Sequence, residues 1–311
     1  MKTIDLFAGI GGVRIGFEKA GFKTVFASDL DAYCKITYDK NFKETPLFIE
    51  DIFKLDEKSL PDFNLLLGGF PCQPFSIAGY RKGFSDKGRG DVFFEIVRIL
   101  DRRRPEAFFL ENVKNLKAHD NGRTYKIIYD TLSSLGYSIK SEVLNSMEYG
   151  NVPQNRERIY MVGFLSKAKA EKFVFPGKIK LTKNIAEILE PKVDGKYYYN
   201  NTPLYKKLKA SVKSRDTVYQ WRRIYVRENK AGVCPTLTAN MGTGGHNVPI
   251  VKDNLGIRKL TPVECLRLQG FPNSYKLPEE LADSRLYKQI GNSVTASVIG
   301  RIANGIMETL N

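Results

Sequence analysis

The chain has 311 residues, 27% of them charged, and its 49 Lys and Arg outnumber its 34 Asp and Glu for a formal net charge of +15. That length suffices for one large domain or two unequal ones, and the positive excess favours a polyanionic partner such as nucleic acid. No run of about 18 apolar residues occurs, so no membrane-spanning helix is expected. The four cysteines form no C-x-x-C pair and there are only two histidines, which excludes the usual zinc spacings, so no metal site is expected. The apolar part of MKTIDLFAGIGG is short and broken by Asp5 and glycines, unlike a signal peptide, and a cytoplasmic protein is expected.

In chain order, KTIDLF (2–7) reads as a strand entering a glycine turn, and VRIGFEKAG (13–21) as a helix. KTVFAS (23–28) is a strand and DAYCKITYDKNF (31–42) a helix. FNLLLGG (63–69) is a strand, DVFFEIVRILDRRR (91–104) a helix stopped by Pro105, and EAFFLENV (106–113) a strand. TYKIIYDTLSSLG (124–136) is a helix, and YSIKSEVLN and ERIYMVGF are further strands. Strands alternating with helices predict a parallel, doubly wound α/β sheet. Ligands of such sheets bind beyond the carboxyl ends of the strands, where Gly9, Cys72 and Glu111 fall. From 166 to 257 the chain is richer in Lys, Tyr, Asn and Gly with weaker periodicity, and a helical pattern returns from about 284. Three segments are expected: a catalytic and cofactor-binding domain (1–170), a target-recognition domain (171–280) and a C-terminal helix returning to the first (281–311).

DLFAGIGG (5–12) lies between a strand and a helix, an arrangement that offers backbone N–H groups to a ligand. Asp29 ends the next strand, where an acid can hold ribose hydroxyls. Counting G-x-G-x-x-G from Gly9 puts Arg14 at the third glycine, which weakens a nicotinamide reading. A nucleoside cofactor without a pyrophosphate, such as S-adenosylmethionine, needs no such fingerprint. A plain glycine turn stays open as the alternative. GGFPCQPFS (68–76) sets Cys72 after Pro71 at the mouth of the sheet, where a thiol near arginines and helix dipoles can be a poised thiolate. FFLENV brings Glu111 to the same mouth. Thiolate addition to carbon 6 of cytosine, with Glu111 at ring nitrogen 3, would make carbon 5 nucleophilic towards a methyl donor. An inert buried cysteine and a salt-bridged glutamate remain the alternatives.

DLFAGIGG, GGFPCQPFS, ENV, QNRERIYMVGF, RKLTPVECLRLQGFP and QIGNSV occur in that order. They resemble the successive signature blocks of DNA cytosine-5 methyltransferases, specifically the bacterial restriction-modification enzymes, over nearly the whole chain outside 166–215. The resemblance implies a Rossmann-like S-adenosylmethionine-dependent methyltransferase sheet with a smaller, irregular target-recognition domain. It implies Cys72 as nucleophile, Glu111 as base-positioning acid, and Arg156 and Arg158 as arginines holding the flipped cytosine and flanking phosphates. For S-adenosylmethionine it implies Phe7, Gly9 and Gly12 in the loop, Asp29 at the ribose, and Asp51 with Ile52 at the adenine. Gly69, Pro71, Val92, Asn292 and Ser293 are further cofactor contacts. The family often has a tryptophan after the ribose acid; here that place is Leu30, which leaves the aromatic packing on adenine open.

Double-stranded DNA is the expected partner, and its target base must leave the helix to reach a thiol. The glycine-rich, basic stretch 75–90, with Arg81 and Lys82, reads as a mobile loop closing over DNA. VYQWRRIYVRENK (218–230) interleaves aromatics with arginines. Gln220 is the candidate to fill the vacated stack, Arg222 and Arg223 suit phosphates and base edges, and Thr236 is the phosphate contact of the Thr-Leu element. A monomer is expected, and the sequence leaves open whether a cognate restriction endonuclease acting on the same site accompanies it. The alternatives are a tRNA cytosine-5 methyltransferase, a non-catalytic DNA-binding relative, and last a dinucleotide oxidoreductase.

Overall fold

The computed structural model describes residues 1–71, 92–222, 224–243 and 249–311. Cys72, Arg81, Lys82, Arg223 and the loop 75–90 therefore lie outside the described residues. Two compact units form: Met1–Leu144 with Glu157–Pro176 and Gly300–Asn311, and Asn145–Arg156 with Gly177–Ile299.

The chain runs β1 (Lys2–Leu6), α1 (Gly12–Lys19), β2 (Lys23–Asp29), α2 (Ala32–Asn41), β3 (Phe48–Ile49), β4 (Leu65–Gly69), α3 (Val92–Arg103), β5 (Ala107–Val113), α4 (Arg123–Ser134) and β6 (Ser138–Asn145). It continues with α5 (Ser146–Tyr149), β7 (Gln154–Asn155), β8 (Glu157–Phe164), α6 (Lys167–Lys172), α7 (Tyr205–Ser211), β9 (Tyr219–Arg222), β10 (Tyr225–Glu228), β11 (Cys234–Pro235), β12 (Pro249–Lys252) and β13 (Ile257–Lys259). Three helices follow: α8 (Pro262–Leu268), α9 (Asp283–Asn292) and α10 (Ala296–Leu310).

The first unit is built on a seven-stranded sheet of order β3-β2-β1-β4-β5-β8-β6. Leu65–Leu67 of β4 and Ala107–Leu110 of β5 are fully buried, because helices cover both faces and the strands need no polar side. Neighbours from β3 to β5 are parallel, but β8 runs antiparallel to β5. The α/β reading holds and its all-parallel form does not. Only residues 146–156 join β6 to β8, too few for a helical crossover to a parallel strand. With β2 on one side of β1 and β4 on the other, the strand order reverses at β1, which opens a crevice beyond the carboxyl ends.

The loop after β1 depends on glycine where side chains would collide. Gly11, at φ +81°, precedes α1, and a Cβ there would stand 2.3 Å from the Phe42 ring. Arg14, at the place of a fingerprint glycine, is buried. It donates to Glu18, the Tyr38 hydroxyl and the Thr45 carbonyl, so it ties α1 to α2 and the loop beyond it.

The second unit has a four-stranded antiparallel sheet, β10-β9-β12-β13, over a core of Leu208, Val212, Tyr219, Ile250 and Ile257. Its irregular segments are held by buried polar groups. Gln154 accepts from Leu237 N–H and donates to the Leu268 carbonyl, and Gln269 donates to the Ile290 carbonyl. Thr261 caps α8 in a reciprocal box with Glu264, which also pairs with the buried Arg258. Gly291 permits a close crossing, since a Cβ there would lie 2.2 Å from the Thr238 carbonyl carbon.

Asp5, fully buried inside β1, is a carboxyl set in apolar surroundings. Burial pushes its pKa up to about 8 despite the neighbouring Arg14 charge, with Asp29 and Glu18 adding to the rise. Tyr38 faces the same group from α2. A carboxyl whose folded pKa lies above its unfolded one stabilises the fold at low pH and loses that contribution as pH rises. Replacing Asp5→Asn should therefore flatten the decline in denaturant midpoint that the native chain shows between about pH 4 and pH 8. A gap between the two proteins that stays constant across that range would mean the carboxyl is ionised throughout.

Candidate active site

The carboxyl ends of β2, β1, β4 and β5 lie side by side, and each delivers candidate residues. Phe7 leaves β1 at φ 58° and Gly9 follows at φ 54°. The Gly9 N–H donates to Asp29 Oδ2 at 2.8 Å, and the Asp31 N–H donates to Oδ1 at 2.9 Å. Burial raises the Asp29 pKa, while these N–H donors pull against it. A carboxylate has about four lone-pair positions, so capacity remains for a vicinal diol. A Cβ added at Gly9 would meet nothing within 4 Å, which leaves open space beside the acid.

Asp51 and Ile52 are brought to the same end. β3 pairs Ile49 with Asp29, and the Glu50 N–H donates to the Asp29 carbonyl. Leu30 is 69% exposed and Ile52 is buried. Val92 begins α3 and packs on the core, and Gly12 begins α1. A carboxylate at the strand ends, an open glycine and an apolar flank together fit an adenosyl group.

The second cluster centres on Glu111, which is 8% exposed. Register puts Gly69 beside it, and a Cβ at Gly69 would lie 3.5 Å from Glu111 Oε2. On the other side, antiparallel pairing sets Arg158 opposite Val113. Arg158 is thus diagonal to Glu111 on the same face, and its Nε lies 3.1 Å from Glu111 Oε1. One strand position on, the Asn112 amide donates to the Phe70 carbonyl at 3.0 Å, and the Val113 N–H donates to Asn112 Oδ1. Asn112 thereby anchors the chain immediately before Pro71, which is exposed. Asn112 was not singled out from the sequence. A buried amide closing the apolar run FFLENV was the available signal.

The second unit holds the remaining candidates. Arg156 is fully buried, and its guanidinium donates to the carbonyls of Leu237, Gly291 and Ser293. It acts here as a tie between backbone segments, whereas Arg158 faces a carboxylate. Asn292 ends α9, exposed, and Ser293 caps it. Gln220, Arg222 and Thr236 line one cleft of ≈ 680 Å³ together with Asn155 and Arg227. The Thr236 hydroxyl donates to the Asn155 carbonyl. Cys234 and Cys265 are buried and their thiols are pushed up by burial, so they are neutral packing groups. Among the described residues no cluster of His, Cys, Asp or Glu could hold a metal ion, and no helix is long and apolar enough to cross a membrane.

The profile of the family described as C-5 cytosine-specific DNA methylase matches residues 1–308. The Type II methyltransferase M.Bsp6I of Bacillus sp. (strain RFL6) is 52% identical over 315 residues, covering 100% of this chain and 99% of its own. The Type II methyltransferase M.HaeII of Haemophilus aegyptius is 43% identical, covering 100% and 94%. Among solved structures, the Dnmt2 methyltransferase of S. pombe has a TM-score of 0.76 at 22% identity, covering 100% and 99%; at that identity the likeness is one of fold.

Removing one partner of a buried ion pair strands the other, at a cost of about 3–5 kcal/mol. Arg158→Met is expected to lower unfolding free energy by about that amount, and the double variant Arg158→Met/Glu111→Gln should recover most of it. Equal losses in the single and double variants, read by denaturant unfolding, would show that the pair is not coupled.

Proposed function

The chain belongs to the C-5 cytosine-specific DNA methylase family, a family of S-adenosylmethionine-dependent enzymes, and we propose that it methylates carbon 5 of cytosine within a short, specific sequence of double-stranded DNA. The observation that carries the assignment of roles is the Glu111–Arg158 pair at the carboxyl end of β5, next to the anchored Phe70–Pro71. In this reading the Cys72 thiolate forms a bond to carbon 6 of the extruded cytosine. Glu111, positioned by Arg158, carries a proton in this step and gives a hydrogen bond or that proton at ring nitrogen 3, where the displaced electron pair accumulates. That pair makes carbon 5 nucleophilic. Once carbon 5 carries the methyl group, its proton is lost to solvent, the electrons re-form the ring double bond and expel the thiolate, and any proton placed on ring nitrogen 3 returns to Glu111.

S-adenosylmethionine, when bound, supplies a methyl group made electrophilic by a sulfonium. Asp29 is assigned the ribose hydroxyls. Phe7, Gly9, Gly12, Gly69, Pro71 and Val92 line the cofactor, with Leu30, Asp51 and Ile52 at the adenine; Asn292 and Ser293 are assigned there by resemblance. Leu30 replaces an aromatic face with an aliphatic one. Arg81, Lys82, Arg222, Arg223 and Thr236 are assigned to DNA. The names of the relatives support a role in a restriction-modification pair; a cytoplasmic monomer that shares its site with a cognate endonuclease is our assignment.

Incubation of unmethylated plasmid with the protein and S-adenosylmethionine, read by bisulfite sequencing, should protect cytosines in one short motif. Cys72→Ala should abolish protection, and Glu111→Gln should slow it about 10²- to 10⁴-fold without changing the Kd for S-adenosylmethionine. Protection that persists in Cys72→Ala would refute the nucleophile. Protection found only in tRNA would replace the DNA reading.

A further inference from the structure

The hairpin β9–β10 has two faces of different chemistry. Pairing sets Trp221 opposite Val226, Gln220 opposite Arg227 and Arg222 opposite Tyr225. Side chains alternate along a strand. Tyr219, Trp221 and Val226 thus share one face, and they pack into the core of the second unit. Gln220, Arg222 and Arg227 share the other, and all three line the ≈ 680 Å³ cleft.

Within that cleft several polar groups are already engaged. The Thr236 hydroxyl donates to Asn155, and the Asn229 amide donates to the Val233 carbonyl. Gln220 differs. It is 4% exposed, yet its Oε1 has no hydrogen-bond partner among the described residues. Buried acceptors are nearly always satisfied, so this oxygen lacks a donor, which it can gain from a ligand when the amide turns into the cleft that the residue lines. Arg227, its cross-strand partner, is exposed and brings five donors in a planar fork. The site therefore presents one acceptor beside a forked donor.

A G·C pair in the major groove presents the complement: two adjacent acceptors on guanine, N7 and O6, and one donor on the cytosine amine. An A·T pair alternates acceptor, donor and acceptor. We propose that Gln220 and Arg227 read one G·C pair of the recognition sequence, Arg227 donating to guanine N7 and O6 and Gln220 Oε1 accepting from the cytosine amine. This rests on the DNA reading above. It keeps Gln220 in its strand, with its amide turned into the cleft, rather than entering the vacated stack.

The test uses the full chain with S-adenosylmethionine and a pool of duplexes randomised around the target cytosine, read by bisulfite sequencing at early times. The native protein should require G·C at one neighbouring position. Arg227→Ala should relax that preference about 10- to 100-fold at that position alone, with the Kd for S-adenosylmethionine unchanged. Arg227→Lys should also relax it, since a lysine keeps the charge but not the fork. Gln220→Met, checked for native stability, should relax the same position. A uniform rate loss across all sequences, an unchanged preference, or a preference for A·T at the affected position would overturn the proposal while leaving the DNA reading intact. Native protein that modifies no cytosine in any duplex would remove both.

Discussion

A carboxylate nearly out of water at the end of an apolar strand is the constraint around which the first unit is arranged. Glu111 closes the run Ala107–Leu110, which is fully buried. Alone it would protonate or destabilise the sheet. Arg158 answers it only because β8 enters antiparallel to β5, which brings residue 158 diagonal to residue 111. The break in the parallel pattern and the charge compensation at the site are thus one feature. The glutamate is fixed by a guanidinium on one side and flanked by a glycine on the other.

The segment carrying Arg158 serves both units with alternate side chains. Gln154 and Arg156 spend their polar groups on backbone segments of the second unit, and Arg158 meets Glu111 in the first. The second unit has few regular elements, so its backbone donors and acceptors need side-chain partners. Gln154, Gln269, Arg156 and the Arg258–Glu264 pair supply them. Two arginines of one signature block therefore meet different partners, backbone carbonyls for Arg156 and a carboxylate for Arg158.

The longer strands and helices of the first 165 residues were legible because they carried a clear periodicity between glycine, proline or polar breaks, whereas β3, α5 and β7, two to four residues long, were too short to show one. The strand direction of β8 was not, since apolar runs report burial and not orientation. Glu111 and Asp29 stood out as acids at strand ends. Asn112 did not, because its role depends on a contact with Phe70, 42 residues away in sequence. Arg156 reads the same as Arg158 in the sequence. Its role follows from carbonyls at 237, 291 and 293 that no local pattern reveals. Arg227 was unremarkable in a basic stretch until pairing set it beside a buried, unsatisfied Gln220.

The most direct test of the central claim is capture of the covalent intermediate. A duplex carrying 5-fluorocytosine at the target position lacks the carbon-5 proton whose loss expels the thiol. Incubated with the protein and S-adenosylmethionine, it should yield a stable protein–DNA adduct, and peptide mass spectrometry should place the linkage on Cys72 with carbon 5 methylated. Methylation of the ordinary duplex with no adduct on the fluorinated one, or an adduct at any other residue, would contradict the account.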